Sequence, residues 1–213
     1  MFETASLAVF VSATLALLLA PGPVVLYIVA LSLRQGRAAG FVSLLGIGLA
    51  SLLHILFAAL GLSALLLRSA LAYSIIKYLG AAYLIFLGIR ALTARARPSD
   101  VQSIPLMSWA QIFGQGFVVN MTNPKTALFF LSFLPQFADP SRGPVALQII
   151  ILGAIFVGMS IATDSMYILV AGTVGQMMSG NLRLARVQKI LAGTTYIGLG
   201  LLAALSGSVQ GDL

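Results

Sequence analysis

The stretch Ser6–Leu31, SLAVFVSATLALLLAPGPVVLYIVAL, contains no charged residue and is long enough to cross a membrane as a helix. Outward from it, basic residues come in short clusters separated by further uncharged stretches. These run over residues 38–67, 101–124, 143–163 and 190–211. Because about 20 apolar residues in a helix span the hydrocarbon core of a bilayer, each stretch has room for a transmembrane helix.

The composition excludes a soluble globular domain. Of 213 residues, 60% are apolar and only 8% are charged, whereas about a quarter of the residues in soluble domains are charged. The net charge of +7 is spread between apolar runs, which fits orientation signals better than nucleic-acid binding. The chain has no cysteine, so disulfides and thiolate metal sites are excluded, and we expect no cofactor. The N-terminus lacks the basic region and cleavage site of a signal peptide, so the first span is expected to be retained.

We therefore predict an all-α integral membrane protein of about six transmembrane helices. The spans are placed at residues 6–31, 40–67, 71–92, 111–134, 145–172 and 187–206. The predicted units of this single domain are a first three-helix repeat at 1–95, a cytoplasmic linker at 96–110 and a second three-helix repeat at 111–213. Lys77 lies inside the third span, where its side chain can extend to the headgroups, and Trp109 is interpreted as an interfacial anchor.

The basic residues predict the orientation of the chain. Eight follow the odd-numbered spans, namely Arg34, Arg37, Arg90, Arg95, Arg97, Arg183, Arg186 and Lys189. The other side has three, namely Arg68, Lys77 and Arg142. Since loops rich in Lys and Arg stay in the cytoplasm, the N- and C-termini are predicted to lie outside, in the periplasm of a bacterial inner membrane.

The two halves of the sequence look related. Pro23 and Pro124 each precede an apolar run that leads to a loop. At one constant offset, Lys77, Leu79 and Gly88 of the third span match Lys189, Leu191 and Gly200 of the sixth. Three spans in each half give the halves opposite orientations, as in many secondary transporters. The prediction is a 3+3 inverted repeat with broken helices at Pro21–Pro23 and Asn123–Lys125.

The first candidate site is Pro21-Gly22-Pro23, midway through the first span. A proline removes a backbone donor and clashes with the preceding turn, so the helix has to kink or break. The amides after Pro23 then point at the break with the positive end of the helix dipole, where a carboxylate can bind. The alternative is an ordinary proline kink that only shapes packing. The matching proline in the other half favours the functional interpretation.

The second candidate is Asn123-Pro124-Lys125 in the fourth span, together with Asn120. Lys125 places an ammonium inside an uncharged run, where such groups usually face a cavity or a partner. Alternatively, it lies near one membrane face and extends into the headgroups. Asn120 and Asn123 are three residues apart and share a helix face. They either line a polar path or satisfy carbonyls that Pro124 leaves free.

Asp164 is the third and sharpest candidate, since it is the only acidic residue deep within a span. It can take up and release a proton during a transport cycle or hold a substrate ammonium. The structural alternative is a pair with Lys125, which is compatible with either role. His54, the only histidine, is a possible proton relay, but a hydrogen-bonded packing histidine is the favoured interpretation.

Four blocks of sequence have a familiar pattern. They are Pro21-Gly22-Pro23, the glycine-rich segment 40–48, the segment 77–84 leading to Gly88, and the run from Gly116-Phe117 through Asn120 and Asn123-Pro124-Lys125 to Pro135-Gln136-Phe137. In these blocks, which extend from about residue 13 to 200, the chain resembles the LysE/RhtB amino-acid exporters. The resemblance implies a small inner-membrane exporter of amino acids such as lysine, threonine, homoserine or leucine. It also implies proton exchange and a homodimer.

The hypothesis at this stage is export of a neutral or small amino acid by alternating access. The substrate carboxylate meets the amides after Pro23 and Pro124, with help from Lys125, and the ammonium meets Asp164 or free carbonyls. An exporter of an inorganic ion or another small metabolite remains an alternative, although few acids, one histidine and no cysteine argue against a divalent metal. A non-transporting membrane scaffold is a further alternative. An enzyme is not expected, because paired aspartates, an HExxH motif and a Ser/His dyad are missing.

Overall fold

The computed structural model describes residues 2–68, 70–93, 106–171 and 182–205, and these ranges are helical without any strand. Their α-helices are α1 Thr4–Leu19, α2 Pro23–Gln35, α3 Arg37–Arg68, α4 Ala70–Thr93, α5 Trp109–Met121, α6 Pro124–Leu128, α7 Val145–Leu169 and α8 Leu182–Leu205. A π-helical turn, Phe129–Phe133, and a 3₁₀ turn, Leu134–Phe137, continue α6. A second 3₁₀ turn, Pro140–Arg142, precedes α7. Residues 94–105, which include Arg95 and Arg97, lie outside the described residues.

Length and apolarity make this a membrane protein. Within the described ranges, α7 and the Arg37–Gly61 part of α3 are each long and apolar enough to cross a bilayer, with mean hydropathies of 2.4 and 2.2. Helices α1 and α2 pass the same test only together, with a bend of 47° at the break between them, as in a broken span or a re-entrant loop. Large apolar side chains such as Leu45 and Leu60 project outward and are about two-thirds exposed. That surface suits lipid and not water.

Two long helices, α4 and α8, pack along each other through glycines. A Cβ atom added to Gly88 would lie 2.5 Å from Ile197 Cγ1 and 2.7 Å from the carbonyl oxygen of Gly193. The two backbones therefore approach so closely that only glycine fits at this position. This is the packing role that small residues have between membrane helices.

The contact between α4 and α8, called the α4–α8 seam below, has a second close approach. Here the glycine belongs to α8 and the carbonyl oxygen to α4. A Cβ atom on Gly200 of α8 would lie 2.7 Å from Ile85 Cγ1 and 2.8 Å from the carbonyl oxygen of Ala81 in α4. Each glycine thus faces the same pair of atoms, a carbonyl oxygen and an isoleucine Cγ1 four residues further along the partner helix. The glycines at this contact therefore have a packing role.

Polar contacts fix which connections share an end of the bundle. The Gln35 side chain both donates to and accepts from the backbone of Met107, each at 3.0 Å, so the α2–α3 connection lies beside the segment before α5. Arg142 contacts Glu3 at 3.8 Å and Asp139 at 3.0 Å, so the start of α1 lies beside the turn before α7. Hydrogen bonds from Ser141 are the main reason why the pKa of Asp139 is below its usual range.

Several predicted bounds need correction. The first span continues to Gln35 and not to residue 31, because the terminator is Gly36, whose φ of +88° favours glycine. Helix α5 begins inside the predicted linker, at Trp109, since Ser108 and Gln111 form a capping box there. Helix α8 begins at residue 182 and not at 187. Lys77 is buried between helices and does not extend to the surface.

Candidate functional site

The first break follows from the donors that its prolines lack. In a continuous helix, residues 21 and 23 would donate to the carbonyls of Leu17 and Leu19, but proline has no N–H. Helix α1 accordingly ends at Leu19, and α2 begins at Pro23, the first helical position, which suits proline. Gly22 between them is extended, with φ of −123° and ψ of −173°. The break predicted at Pro21–Pro23 is thus present.

Side chains from the second half of the chain satisfy the carbonyl end of α1. The ammonium of Lys125 donates to Ala20 O at 2.7 Å, and the hydroxyl of Tyr167 donates to Leu19 O at 3.0 Å. A cation is favoured at this negative end of the helix dipole. Lys125 is 7% exposed, so it faces a buried partner. The alternative in which it extends to a membrane face is wrong.

The start of α2 is left open. Its N-cap, Gly22, has no side chain to accept from the first turn, and the first amide of α2 with an acceptor among the described residues is that of Leu26, which donates to Gly22 O. The described residues give the amides of Val24 and Val25 no acceptor. The positive end of the α2 dipole is therefore uncapped, and both valines line a cavity.

The second break, between Met121 and Pro124, is closed by its own side chains. Asn123 is the N-cap of α6 and accepts from the amide of Lys125 at 3.1 Å. Its Nδ2 donates to Thr126 Oγ1 at 3.0 Å. The predicted break at Asn123–Lys125 is present, but the amide of Lys125 is already occupied and not free for a substrate.

Asn120 ties this second break to α3. Its Nδ2 donates to Ser51 Oγ at 2.8 Å and to Ile47 O at 2.9 Å. Its Oδ1 accepts from Thr126 Oγ1 at 2.9 Å. Both asparagines thus satisfy neighbouring groups, and both also line the cavity. Neither side chain donates to the carbonyl that Pro124 leaves free, which is Asn120 O, and the polar path stays a prediction.

Asp164 is buried on α7, with 3% of its surface exposed, and accepts from Ser160 Oγ at 3.1 Å. Among the described residues no ion pair joins it to Lys125, since the ion pairs found there belong to Arg142. The structural pair considered for Asp164 is therefore not formed in this conformation. The carboxylate and the ammonium instead face the same cavity from different helices.

One cavity brings the candidates together. It holds about 410 Å³ of empty space, its opening to solvent included. Its lining contains five of the predicted residues, namely Gly22, Asn120, Asn123, Lys125 and Asp164. Pro21, Pro23 and Pro124 do not line it but produce the two breaks. The transport roles assigned to these residues remain predictions.

Apolar side chains complete the lining, and they come from three helices. Leu18 belongs to α1, Val24 and Val25 to α2, and Phe156 to α7. The cavity therefore combines one cationic and one anionic side chain with an apolar wall. A small molecule with both charges and an apolar part matches this lining.

His54 lies outside this lining. Its Nε2 is 3.4 Å from Asn120 O, and its ring stacks on Phe130 with 5.9 Å between centroids. It is 8% exposed. This is the hydrogen-bonded packing histidine that the sequence favoured, and the relay role remains untested.

Three polar residues of the site were not predicted. Thr126 links the two asparagines, and its position three residues after Asn123 was a usable signal. Ser51 accepts from Asn120, but it comes from another helix, and nothing in its own neighbourhood indicated this. The ring of Tyr196 on α8 lies 6.0 Å from Lys125 Nζ, and only the fold brings it there.

The fold and the site define a class, that of helical membrane proteins in which two broken helices meet at a buried polar cavity. The chain belongs to the LysE type translocator family, whose pattern it matches over residues 15–207. This confirms the resemblance seen in the sequence, and translocators are transport proteins.

Individual relatives are similar over most of their length. The chain is 30% identical to an uncharacterized membrane protein of Vibrio cholerae serotype O1, covering 87% of this chain and 90% of the relative. It is 28% identical to the uncharacterized membrane protein YrhP of Bacillus subtilis, covering 94% and 99%. It is 27% identical to the leucine efflux protein of Salmonella typhimurium, covering 85% and 86%. No solved structure matches.

Proposed function

We propose that this protein is a secondary active transporter that exports amino acids in exchange for protons. One observation carries the proposal: an ammonium, a carboxylate and the open break between α1 and α2 converge on a single cavity. Broken helices around a buried site are a recurrent device of secondary transporters. Membership of a translocator family and relatives named leucine efflux proteins support the same function.

An amino acid matches the first break in both charge and shape. Its carboxylate would accept from the free amides of Val24 and Val25, and its ammonium would take the carbonyl end of α1 at Ala20. Leu18 and Phe156 offer an apolar wall to the side chain. A neutral, apolar amino acid of the leucine class is therefore the proposed substrate.

The proposed membrane arrangement is six spans as a 3+3 inverted repeat. Residues 1–95 form one repeat, 96–108 a cytoplasmic linker that ends at the start of α5, and 109–213 the other repeat. The offset that matches Gly88 to Gly200 also matches Gly193 to Ala81 and Ile197 to Ile85, and those are the groups that the two glycines face. Such a reciprocal contact is expected where a two-fold axis relates α4 to α8.

The ties at the two ends of the bundle agree with this topology. The α2–α3 connection contacts the segment before α5, so these two lie at one end of the bundle. The start of α1 contacts the turn before α7, so these two also lie at a common end. An even number of crossings separates the members of each pair, as six alternating spans require. The excess of basic residues supports an inner-membrane protein with both termini outside. We also propose the homodimer that the family resemblance implies.

Asp164 is the proposed proton carrier. A carboxylate at this depth is costly when charged, so it tends to take up a proton unless a cation approaches. Protonation from the outside and release to the inside would then drive export.

The test is efflux from proteoliposomes preloaded with a mixture of labelled amino acids, with and without an imposed proton gradient. We expect selective loss of one or a few apolar amino acids, faster when the gradient favours proton entry. Folded, inserted protein that releases no amino acid would contradict the proposal. Release of an ion or another metabolite instead would establish the alternative exporter, and no transport at all would leave a membrane scaffold.

A further inference from the structure

Lys125 occupies the place that suits a substrate ammonium. Its Nζ donates to Ala20 O at 2.7 Å, at the negative end of α1. It lies 3.6 Å from the position of a Cβ atom on Gly22, and so directly over the break. Ala20 O could accept two hydrogen bonds, but two ammonium groups on it would be close enough to repel each other strongly. The substrate ammonium and Lys125 therefore compete for this place.

The backbone that carries Lys125 is firmly held, so its side chain is the part free to move. Its amide donates to Asn123 Oδ1 at 3.1 Å, and Thr126 connects the same turn to Asn120 and hence to α3. The α1–α2 break, which the Lys125 side chain contacts, has no such side-chain bonds of its own, because its middle residue is Gly22. The Lys125 ammonium is therefore on a flexible side chain whose backbone is fixed.

Asp164 is a second possible partner for the Lys125 ammonium. It lines the same cavity on α7 and has one hydrogen bond from the described residues, donated by Ser160. No ion pair joins it to Lys125 in this conformation. The cavity therefore holds an ammonium already bound to a carbonyl and a carboxylate that still lacks a cation.

We propose that Lys125 is an internal substitute for the substrate's ammonium, displaced from Ala20 O when the substrate binds and transferred to Asp164. The inference rests on the proposed function and explains how substrate binding would be coupled to proton release from Asp164. Without substrate, Lys125 holds Ala20 O and Asp164 is protonated. With substrate, the substrate ammonium holds Ala20 O and Lys125 pairs with an ionised Asp164.

The exchange balances in charge and in protons. One neutral zwitterion enters, the O–H bond of the Asp164 carboxyl breaks, and one proton leaves to water on the side to which the cavity is open. In reverse, a proton from outside neutralises Asp164 and frees Lys125, which returns to Ala20 O and expels the substrate. Each state has a cation at the carbonyl end of α1.

The other groups around Asp164 do not replace Lys125. On its own helix these are Ser160 and Tyr167, and Tyr167 donates to Leu19 O. Helix α3 contributes Ser51 to the lining and, behind Asn120, His54. The described lining from α1 and α2 has no titratable side chain, and Tyr196 of α8, whose ring is 6.0 Å from Lys125 Nζ, does not line the cavity.

The experiment measures leucine binding and proton release together, on purified full-length protein in weakly buffered detergent with a pH indicator. We expect the unsubstituted protein to release about one proton for each leucine bound. Lys125→Met and Lys125→Gln should release none, because neither side chain can pair with an ionised Asp164. Lys125→Met should bind leucine about tenfold more tightly because the internal competitor has been removed, and Lys125→Gln, which keeps only a neutral donor, should bind it no more weakly than the unsubstituted protein does. The glutamine variant keeps a donor for Ala20 O, in case the methionine variant does not fold.

Lys77→Met is the matched control, because it removes another buried lysine that does not line the cavity. It should leave proton release unchanged. Weaker leucine binding in both Lys125 variants, or undiminished proton release, would overturn the inference while leaving an amino-acid exporter. If neither leucine nor any other amino acid bound to the unsubstituted protein, the proposed function would fail as well.

Discussion

Pro21 and Pro23 have no amide hydrogen to donate, and the first break results from these two missing donors. Pro23 leaves Leu19 O without its helical donor, and Tyr167 donates to it. The break also separates Ala20 O from the amide of Val24, and Lys125 donates to Ala20 O instead. Gly22 makes room, because any side chain there would point at Lys125 and Tyr196. The smallest residue of the motif thus determines how far the lysine can reach.

We predict that the size of residue 22 controls transport. A Cβ atom there would lie 3.4 Å from Lys125 Cδ and 3.3 Å from the Tyr196 hydroxyl oxygen, so Gly22→Ala should be tolerated with reduced activity. Gly22→Val should fill the cavity and slow leucine efflux by at least about tenfold. Backbone strain is not expected, since Gly22 is extended. Gly48→Val, with no atom near its added Cβ, is the control and should keep full activity.

Asn120 has a different role, which stability measurements should reveal. Its side chain saturates three partners, Ser51, Ile47 O and Thr126. Asn120→Ala leaves buried polar groups without a partner, each costing about 1–3 kcal/mol. We expect a clearly lower melting temperature in detergent, and Thr122→Ala, at an exposed hydroxyl on the same turn, should leave it nearly unchanged. Equal melting of the two variants would contradict this role.

The sequence revealed the charged members of the site but not all of its polar ones. Lys125 and Asp164 stand out because a charge inside an apolar run needs a reason. Thr126 and Ser51 are ordinary in membrane helices, where hydroxyls often bond to their own backbone. Their contribution comes from contacts between helices, which no local pattern contains.

At the scale of elements, the two breaks differ although their sequences suggested a matched pair. The α5–α6 break is capped by Asn123 and tied to α3, whereas the α1–α2 break relies on side chains that reach it from other helices. The prolines predicted where each helix stops. The difference in capping arises because residue 123 is asparagine and residue 22 is glycine. The helix that starts at the first break is therefore uncapped, and the helix that starts at the second break is capped.

Replacing both prolines, Pro21→Ala and Pro23→Ala, should straighten the first span. The two substitutions supply amides that can donate to Leu17 O and Leu19 O, and they let α1 continue into α2. Because the chain has no cysteine, spin labels at Val9→Cys and Arg34→Cys report the bend directly. Their separation should increase towards the roughly 37 Å of a straight helix, and efflux should fall. An unchanged separation would show that packing and not the missing donors sets the 47° bend.

At the scale of the whole molecule, the α4–α8 seam relates the two halves to each other. The sequence offset paired Gly88 with Gly200, but it did not predict that α4 and α8 would pack together. Apolarity predicts that helices lie in a membrane and not which helices touch. Partner choice depends on the close approach of small residues, and a single sequence contains many of them.

The seam predicts matched effects of two distant substitutions. Gly88→Ala and Gly200→Ala each force a methyl group against a backbone carbonyl, and each should lower the free energy of unfolding by about 1–3 kcal/mol. Gly198→Ala, on α8 with nothing near its added Cβ, should be neutral. Thermal unfolding in detergent compares the three variants. Clearly different costs for Gly88 and Gly200 would argue against a two-fold relation between the helices.

The most direct measurement of the central claim compares Asp164→Asn with the unsubstituted protein in proteoliposomes, under an imposed pH gradient. Asp139→Asn makes the same substitution at an exposed turn and is the control. We predict that the unsubstituted protein and the control drive the substrate amino acid against its own gradient. Asp164→Asn, although folded and inserted, should only equilibrate the substrate or fail to move it. Uphill transport by Asp164→Asn would contradict the account, because the proton would then be carried elsewhere.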